Sequence, residues 1–231
     1  MRQLALDLKL ADYARFDTFY AGPNGMVLTA LKTAADSAGP GVDWLWGMTG
    51  SGRSHLLQAC VEAASEAGRA ASWLPLGEDG ELVPEMLEGL GYLDLICLDD
   101  VDAVAGDPAW ERALFNISET AKTGHGRVIC SASAPPAAAG FELRDLESRL
   151  AAGPVWKLLP LEDAELVAAL QLRARWRGLE LPDDTCRFLM RRVPRSSQVL
   201  FALLDQLDGA ALESQRRLTI PFVKEVIDLP E

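Results

Sequence analysis

The 231-residue chain is long enough for one large α/β domain, or for a core of intermediate size with a small appended domain. Acidic residues outnumber basic ones by 34 to 22 and give a formal net charge of -12, so we expect little direct nucleic-acid binding. No apolar run approaches the ~20 residues of a membrane span. Charged residues interrupt the first apolar stretch, so we expect no signal peptide, no membrane contact and a cytoplasmic location. The four cysteines lie far apart and are expected to be buried thiols.

Strands and helices alternate from about residue 24 to residue 159. The apolar runs that predict strands lie at 42–46, 71–76, 93–98, 128–130 and 155–159. Helical spacing of apolar residues predicts helices at 57–64, 81–90 and 110–121. This alternation predicts an α/β fold with a parallel sheet covered on both faces.

The pattern becomes purely helical after Pro160. Helices are predicted at 163–177, after Pro182, at 196–216 and from about residue 219. The sequence therefore predicts a helical domain of about seventy residues behind the α/β core, with the boundary near Pro160.

A glycine-rich turn follows the first predicted strand. Residues 47–54 read GMTGSGRS and match the phosphate-binding pattern G-x-x-x-x-G-[K]-[S/T] at every fixed position but one. Backbone N–H groups of such a turn point at phosphate oxygens, and the following helix directs its positive end at the same anion. The alternative is an ordinary strand-to-helix turn. The candidate nucleotide-binding residues here are Gly47, Thr49, Gly50, Ser51, Gly52, Arg53, Ser54 and His55.

A second motif lies about fifty residues later, where an apolar run ends in Asp99 and Asp100. This is the Walker B pattern, although any strand can end in polar residues. Asp99 and Ser54 are the candidate Mg²⁺ ligands, and Asp100 is the candidate acid that activates water. Together the two motifs predict ADP or ATP as cofactor with Mg²⁺. Arg53 stands where the pattern usually has lysine. Because its guanidinium is planar and a lysine ammonium is a compact point charge, we expect weak intrinsic ATP hydrolysis.

The chain resembles the AAA+ superfamily and, within it, the Hda family of regulators related to the replication initiator DnaA. The stretches that carry this resemblance are WLWGMTGSGRSHLLQA, LICLDDVDAVAGDPAWE, DLESRLAAGPVWKLLPL, LQLRARWRGLELP and QRRLTIPFVKEVIDL. It implies a Rossmann-like P-loop core with a C-terminal helical lid and ADP as the resident nucleotide. The implied organisation is a clamp-binding peptide at 1–10, a nucleotide-binding core at 11–160 and a lid at 161–231. The DNA-binding helix-turn-helix domain of DnaA is expected to be missing.

The resemblance also assigns contacts with partners. Residues Gln3, Leu4, Leu6 and Leu8 resemble the family's peptide that binds the DNA polymerase III sliding clamp. Arg149 is similar to the family's arginine finger, which would act in trans on ATP held by DnaA. The ordinary alternative is that Arg149 pairs with Asp145 one turn earlier on the same helix.

The lid and the base-binding segment depart from the family pattern. The sensor-2 arginine is expected at Gln198, and Arg195 is the candidate substitute because it lies three residues earlier. Ser131 occupies the sensor-1 region, together with Ser133. Phe16 and Phe19 are the candidates for the purine pocket.

Three functions remain in competition at this point. The preferred one is a regulator that bears ADP, binds the clamp and promotes hydrolysis of the ATP on DnaA. The second is an independent AAA+ ATPase related to helicase loaders. The third is an adaptor whose nucleotide only stabilises the fold. Homo-oligomerisation is left open.

Overall fold

The computed structural model describes residues 14–36, 39–77, 82–124, 126–214 and 217–227. These residues separate into two compact units. The first unit, the core, comprises residues 14–16 and Asn24–Leu159. The second unit, the lid, comprises Asp17–Pro23 and residues 160–227.

The core is built on one parallel sheet. Its strands are β1 (Gly41–Gly47), β2 (Ala71–Pro75), β3 (Leu95–Asp99), β4 (Arg127–Ala132) and β5 (Val155–Leu158). They lie in the order β2-β3-β4-β1-β5 and every neighbouring pair is parallel. All five residues of β3 are buried, as a strand covered on both faces requires. The predicted α/β fold with a parallel sheet is therefore confirmed.

The core helices are α1 (Gly25–Asp36), α2 (Arg53–Glu66), α3 (Pro108–Thr123) and the short α4 (Arg144–Leu150). The helix predicted at 81–90 is instead a 3-10 helix at Pro84–Leu90. Proline is tolerated at the first position of a helix, and Gly89 disfavours a regular α-helix in so short a segment.

The lid contains α5 (Asp163–Trp176), α6 (Asp183–Arg192), α7 (Ser197–Ser214) and α8 (Ile220–Val226). These four helices pack around their own apolar cluster, in which Leu170, Leu189 and Leu200 are at most 1% exposed. The segment Asp17–Pro23 belongs to this unit, although the sequence grouped it with the core. The close packing of Gly22 explains this, since a Cβ at that position would lie 3.0 Å from the Leu161 side chain.

Within the described ranges, no helix combines the length and the apolar character that a membrane crossing needs.

Candidate functional site

The glycine-rich turn joins β1 to α2 at the carboxyl edge of the sheet, where α/β proteins place their ligands. Gly50 and Gly52 adopt φ angles of 78° and 97°, a region that favours glycine. At Gly47 a Cβ would lie 2.8 Å from Ser51 Oγ, so the turn closes only without a side chain there. The sequence therefore needs its glycines at these three positions.

The same turn fits a phosphate group. Gly52 caps α2 without any side-chain acceptor, so this end of the helix does not carry its own anionic cap. Ser51 Oγ is buried and has no hydrogen-bond partner in the structure. An anion at the turn would supply acceptors for backbone N–H groups and for this hydroxyl. Thr49 lies exposed on the outer part of the turn, where the sequence predicts a phosphate contact.

Arg53 is held by two groups of the protein itself. Its Nη1 donates to the carbonyl oxygen of Gly47 at 3.0 Å, and its Nη2 pairs with Asp100 Oδ1 at 2.8 Å. The Arg53 side chain is only 10% exposed. The planar guanidinium thus bridges the turn and the second acid, a geometry that a lysine ammonium cannot reproduce. In this arrangement Asp100, the predicted acid for water activation, is occupied by a cation.

Ser131 organises both acidic residues at the end of β3. Its hydroxyl accepts from the Asp100 N–H at 2.9 Å and donates to Asp99 Oδ1. The indole of Trp73 donates to the other oxygen of Asp99 at 3.3 Å. Asp100 adopts a φ of 52°, and Gly77 leaves room for it because a Cβ there would lie 2.8 Å from Asp100 Cβ. The sequence placed Ser131 in the sensor-1 region, but its contacts show a residue that positions the two aspartates.

The residues predicted to bind Mg²⁺ fit that ion. The Ser54 side chain is exposed on the first turn of α2, and Asp99 is only 3% exposed. Hydroxyl and carboxylate oxygens are the hard ligands that Mg²⁺ prefers. Asp99 keeps lone pairs beyond its two hydrogen bonds, so it could still contact the ion directly or through water.

His55 contacts the segment that precedes α1, within the core, and its predicted contact with the nucleotide stays a prediction. Its Nε2 lies 2.9 Å from the carbonyl oxygen of Arg15. The guanidinium of Arg15 pairs with Glu62 at 2.7 Å and also with Glu66, both on α2. The sequence did not indicate this attachment, because its partners are about forty to fifty positions apart.

The two candidates for the purine pocket fall in different units. Phe16 belongs to the core, where the Lys32 ammonium lies 5.6 Å from its ring centroid. Phe19 belongs to the lid and is partly buried there. A purine contact for either residue stays a prediction.

Arg149 lies in the last turn of α4 and pairs with Glu119 of α3. The alternative partner from the sequence, Asp145, is wrong, since the ion pair of Arg149 is with a different helix. The Arg149 side chain is 22% exposed, and its Nε is buried without a hydrogen-bond partner. The structure thus holds the candidate finger against its own subunit.

Glu111 of α3 fixes the entry into α4, a role that no sequence motif indicates. This carboxylate is 2% exposed and accepts from the N–H groups of Gly106 at 2.8 Å, Glu142 at 2.9 Å and Leu143 at 2.7 Å. Burial alone would raise the pKa of Glu111, but the three N–H donors outweigh it, so its pKa is lowered. The only available signal was a glutamate on an apolar helix face, which does not reveal its acceptors.

The two lid candidates are exposed. Arg195 pairs with Asp163 at 2.6 Å, and Gln198 lies on the first turn of α7. Arg195 also lines an open groove of about 320 Å³ within the lid, together with Arg187 and Arg191. A role for Arg195 or Gln198 in sensing nucleotide stays a prediction. The clamp-binding candidates Gln3, Leu4, Leu6 and Leu8 lie outside the described residues.

Comparison with known proteins bears on the lid and on the fold. Residues 163–227 match the family model described as the lid domain of Hda. The structure is similar to domain III of the replication initiation protein DnaA from Thermotoga maritima, with a TM-score of 0.81 and 18% identity over 95% of this chain and 98% of that one. It is also similar to AMPPCP-bound DnaA from Aquifex aeolicus, with a TM-score of 0.67 and 19% identity over 88% of this chain and 68% of that one. The RuvB Holliday junction branch migration motor of Thermotoga maritima matches with a TM-score of 0.64 and 15% identity, over 93% of this chain and 73% of that one. At these identities the solved structures establish a shared fold alone.

Proposed function

We propose that this chain is an Hda-like AAA+ protein related to DnaA, and that it regulates replication initiation by promoting hydrolysis of the ATP bound to DnaA. The single observation that carries this proposal is the match of residues 163–227 to the Hda lid domain. The proposed partners are DnaA and the sliding clamp, with residues 3–8 as the clamp-binding peptide.

The proposed resident nucleotide is ADP with Mg²⁺. The turn from Gly47 to Ser54 would hold the phosphates, and Ser54 with Asp99 would hold the ion, which would neutralise phosphate charge. The ion pair between Arg53 and Asp100 supports a binding role over a hydrolytic one, since it occupies the acid that would activate water. The similarity to AMPPCP-bound DnaA supports a nucleotide in this fold.

The proposed catalytic contribution to the partner is Arg149. Its position on α4 is fixed by the three backbone bonds that Glu111 accepts from the segment around Gly106 and Leu143. A guanidinium that enters a neighbour's site stabilises charge that develops on the γ-phosphate, and such fingers contribute factors of about 10³–10⁵. The protein would act as a switch on the initiator, and a separate catalytic cycle of its own is not required.

The test is ATP hydrolysis by DnaA in the presence of clamp loaded on DNA and this protein bound to ADP. We expect the parent protein to raise hydrolysis and the Arg149→Ala variant to lose at least about a hundredfold of that stimulation. The matched control is Arg144→Ala, which removes an exposed arginine from the same helix and should keep the stimulation. An Arg149→Ala protein as active as the parent would favour the adaptor role.

An independent ATPase is the second candidate, because Ser54, Asp99 and Asp100 all lie at the site. Steady-state ATP turnover by the purified protein alone distinguishes the two functions. Fast turnover without DnaA, insensitive to Arg149→Ala, would favour the independent ATPase. Turnover that appears only with DnaA and clamp would favour the regulator.

A further inference from the structure

Arg149 rests against a glutamate of its own chain. Its Nη2 pairs with Glu119 Oε1 across the α3–α4 contact, and the two side chains are 22% and 37% exposed. Most of the surface of each side chain is therefore covered, and neither member is a freely solvated surface charge. For Arg149 to enter a neighbour's site, the guanidinium has to leave Glu119.

The pair is built so that it can open. The Nε of Arg149 is buried and has no acceptor, so the guanidinium is incompletely satisfied when it rests on Glu119. A phosphate offers several oxygens and can accept two parallel N–H bonds from one guanidinium. Exchange of the carboxylate for a γ-phosphate therefore gains hydrogen bonds for the arginine.

The backbone of α4 does not need to move in this exchange. Glu111 holds the N–H groups of Glu142 and Leu143, directly before the helix, and Leu146 and Leu150 anchor it at 0% and 1% exposure. Arginine has a long, flexible side chain, so a change of its torsions is sufficient. The fixed helix therefore determines where the finger lies, and the torsions of the Arg149 side chain determine whether the finger is available.

We propose that Glu119 is a positioning residue that competes with the γ-phosphate of DnaA-bound ATP for Arg149. This inference rests on the proposed function of Arg149 as a trans-acting finger. Glu119 thereby sets the fraction of molecules whose finger is available. The apparent affinity for DnaA–ATP is the intrinsic affinity multiplied by that fraction. Once the γ-phosphate has left, the carboxylate recaptures the guanidinium, which favours separation from DnaA–ADP.

The test is a titration of ATP-bound DnaA and clamp-loaded DNA with the parent protein, Glu119→Gln, Asp145→Asn and Arg149→Ala. Glutamine keeps the shape of the side chain and removes the charge. We expect Glu119→Gln to lower the half-maximal concentration by about twofold to fivefold, the range that a partly exposed ion pair contributes. The hydrolysis rate at saturation should stay that of the parent.

Asp145→Asn is the matched control. It also removes one negative charge, but at a residue of α4 that does not pair with Arg149. It should leave the half-maximal concentration unchanged. A Glu119→Gln protein with a reduced saturating rate would show that Glu119 orients the finger for reaction, which overturns the proposal. An unchanged titration curve, or an equal shift in Asp145→Asn, overturns it as well.

Arg149→Ala separates this inference from the function on which it rests. Loss of stimulation in Arg149→Ala, together with an unchanged curve in Glu119→Gln, overturns the role of Glu119 and leaves the finger in place. Stimulation that survives in Arg149→Ala overturns both. Thermal unfolding of Glu119→Gln within a few degrees of the parent confirms that the titration compares folded proteins.

Discussion

Glu111 is the buried carboxylate that joins α3 to the segment leading into α4, and its removal has a calculable cost. Glu111→Gln keeps the side-chain volume but replaces one acceptor oxygen with a donor, which then faces an N–H group. Each buried donor left without a partner costs about 1–3 kcal/mol, and the remaining bonds lose the charge that strengthens them. We expect a loss of about 2–3 kcal/mol in the free energy of unfolding.

The assay is urea denaturation at pH 7, where an unchanged slope with a lower midpoint reports a change in stability alone. The midpoint temperature of thermal unfolding should fall by about 4–12 °C, at about 2–4 °C per kcal/mol for a chain of this size. Glu142→Gln is the matched control, because it is the neighbouring exposed side chain and should change stability by less than about 0.5 kcal/mol. A Glu111→Gln protein within that same margin of the parent would refute the reasoning.

The effect of Glu111 depends on pH in a defined direction. Its pKa is lowered in the folded protein, so its stabilisation is present above the unfolded value of about 4.3 and is lost as the pH falls through the lower folded value. The stability difference between the parent and Glu111→Gln should therefore shrink as the pH is lowered below about 4. A difference that stays constant down to pH 3 would contradict the lowered pKa.

Three further predictions concern the P-loop, the amino terminus and the cysteines. Arg53→Lys should raise intrinsic ATP turnover several-fold. The guanidinium of Arg53 bridges the carbonyl oxygen of Gly47 and the carboxylate of Asp100, and a lysine ammonium cannot do so. Steady-state ATP turnover by the purified variant measures this effect. Gln3→Ala should abolish clamp binding in a direct binding assay. Native protein at pH 8 should resist alkylation, because burial raises the pKa of Cys130 and Cys186 to about 12 and raises that of Cys97. Mass spectrometry after iodoacetamide treatment measures this, and all four cysteines should react in urea.

A contrary result is defined for each of the predictions on Arg53, Gln3 and the cysteines. Turnover in Arg53→Lys no faster than in the parent would mean that the ion pair with Asp100 does not limit hydrolysis. Unchanged clamp affinity in Gln3→Ala would remove the amino-terminal peptide from the proposed function. Rapid alkylation of the native protein would show that the buried thiols are reached by local opening of the fold.

Much of the core was predictable because its signals are local. The five strands appear as apolar runs, and the glycines of the turn at 47–52 are required by backbone conformations that the motif itself specifies. The four lid helices follow from helical spacing and from residues such as Gly178 and Pro182 at their ends. The 3-10 helix at Pro84–Leu90 was less predictable, since a short segment with glycines satisfies either helical pattern.

The sequence by itself determined the parallel α/β fold, the glycine-rich turn and the position of the two aspartates at the end of β3, because periodicity and short-range spacing encode each of them. Only the tertiary structure decided which charge each arginine contacts. Arg53 bonds Asp100, 47 positions away, and Arg149 bonds Glu119, 30 positions away, rather than its helical neighbour Asp145. Such pairs depend on how separate elements pack in space. A linear pattern of residues does not contain those distances.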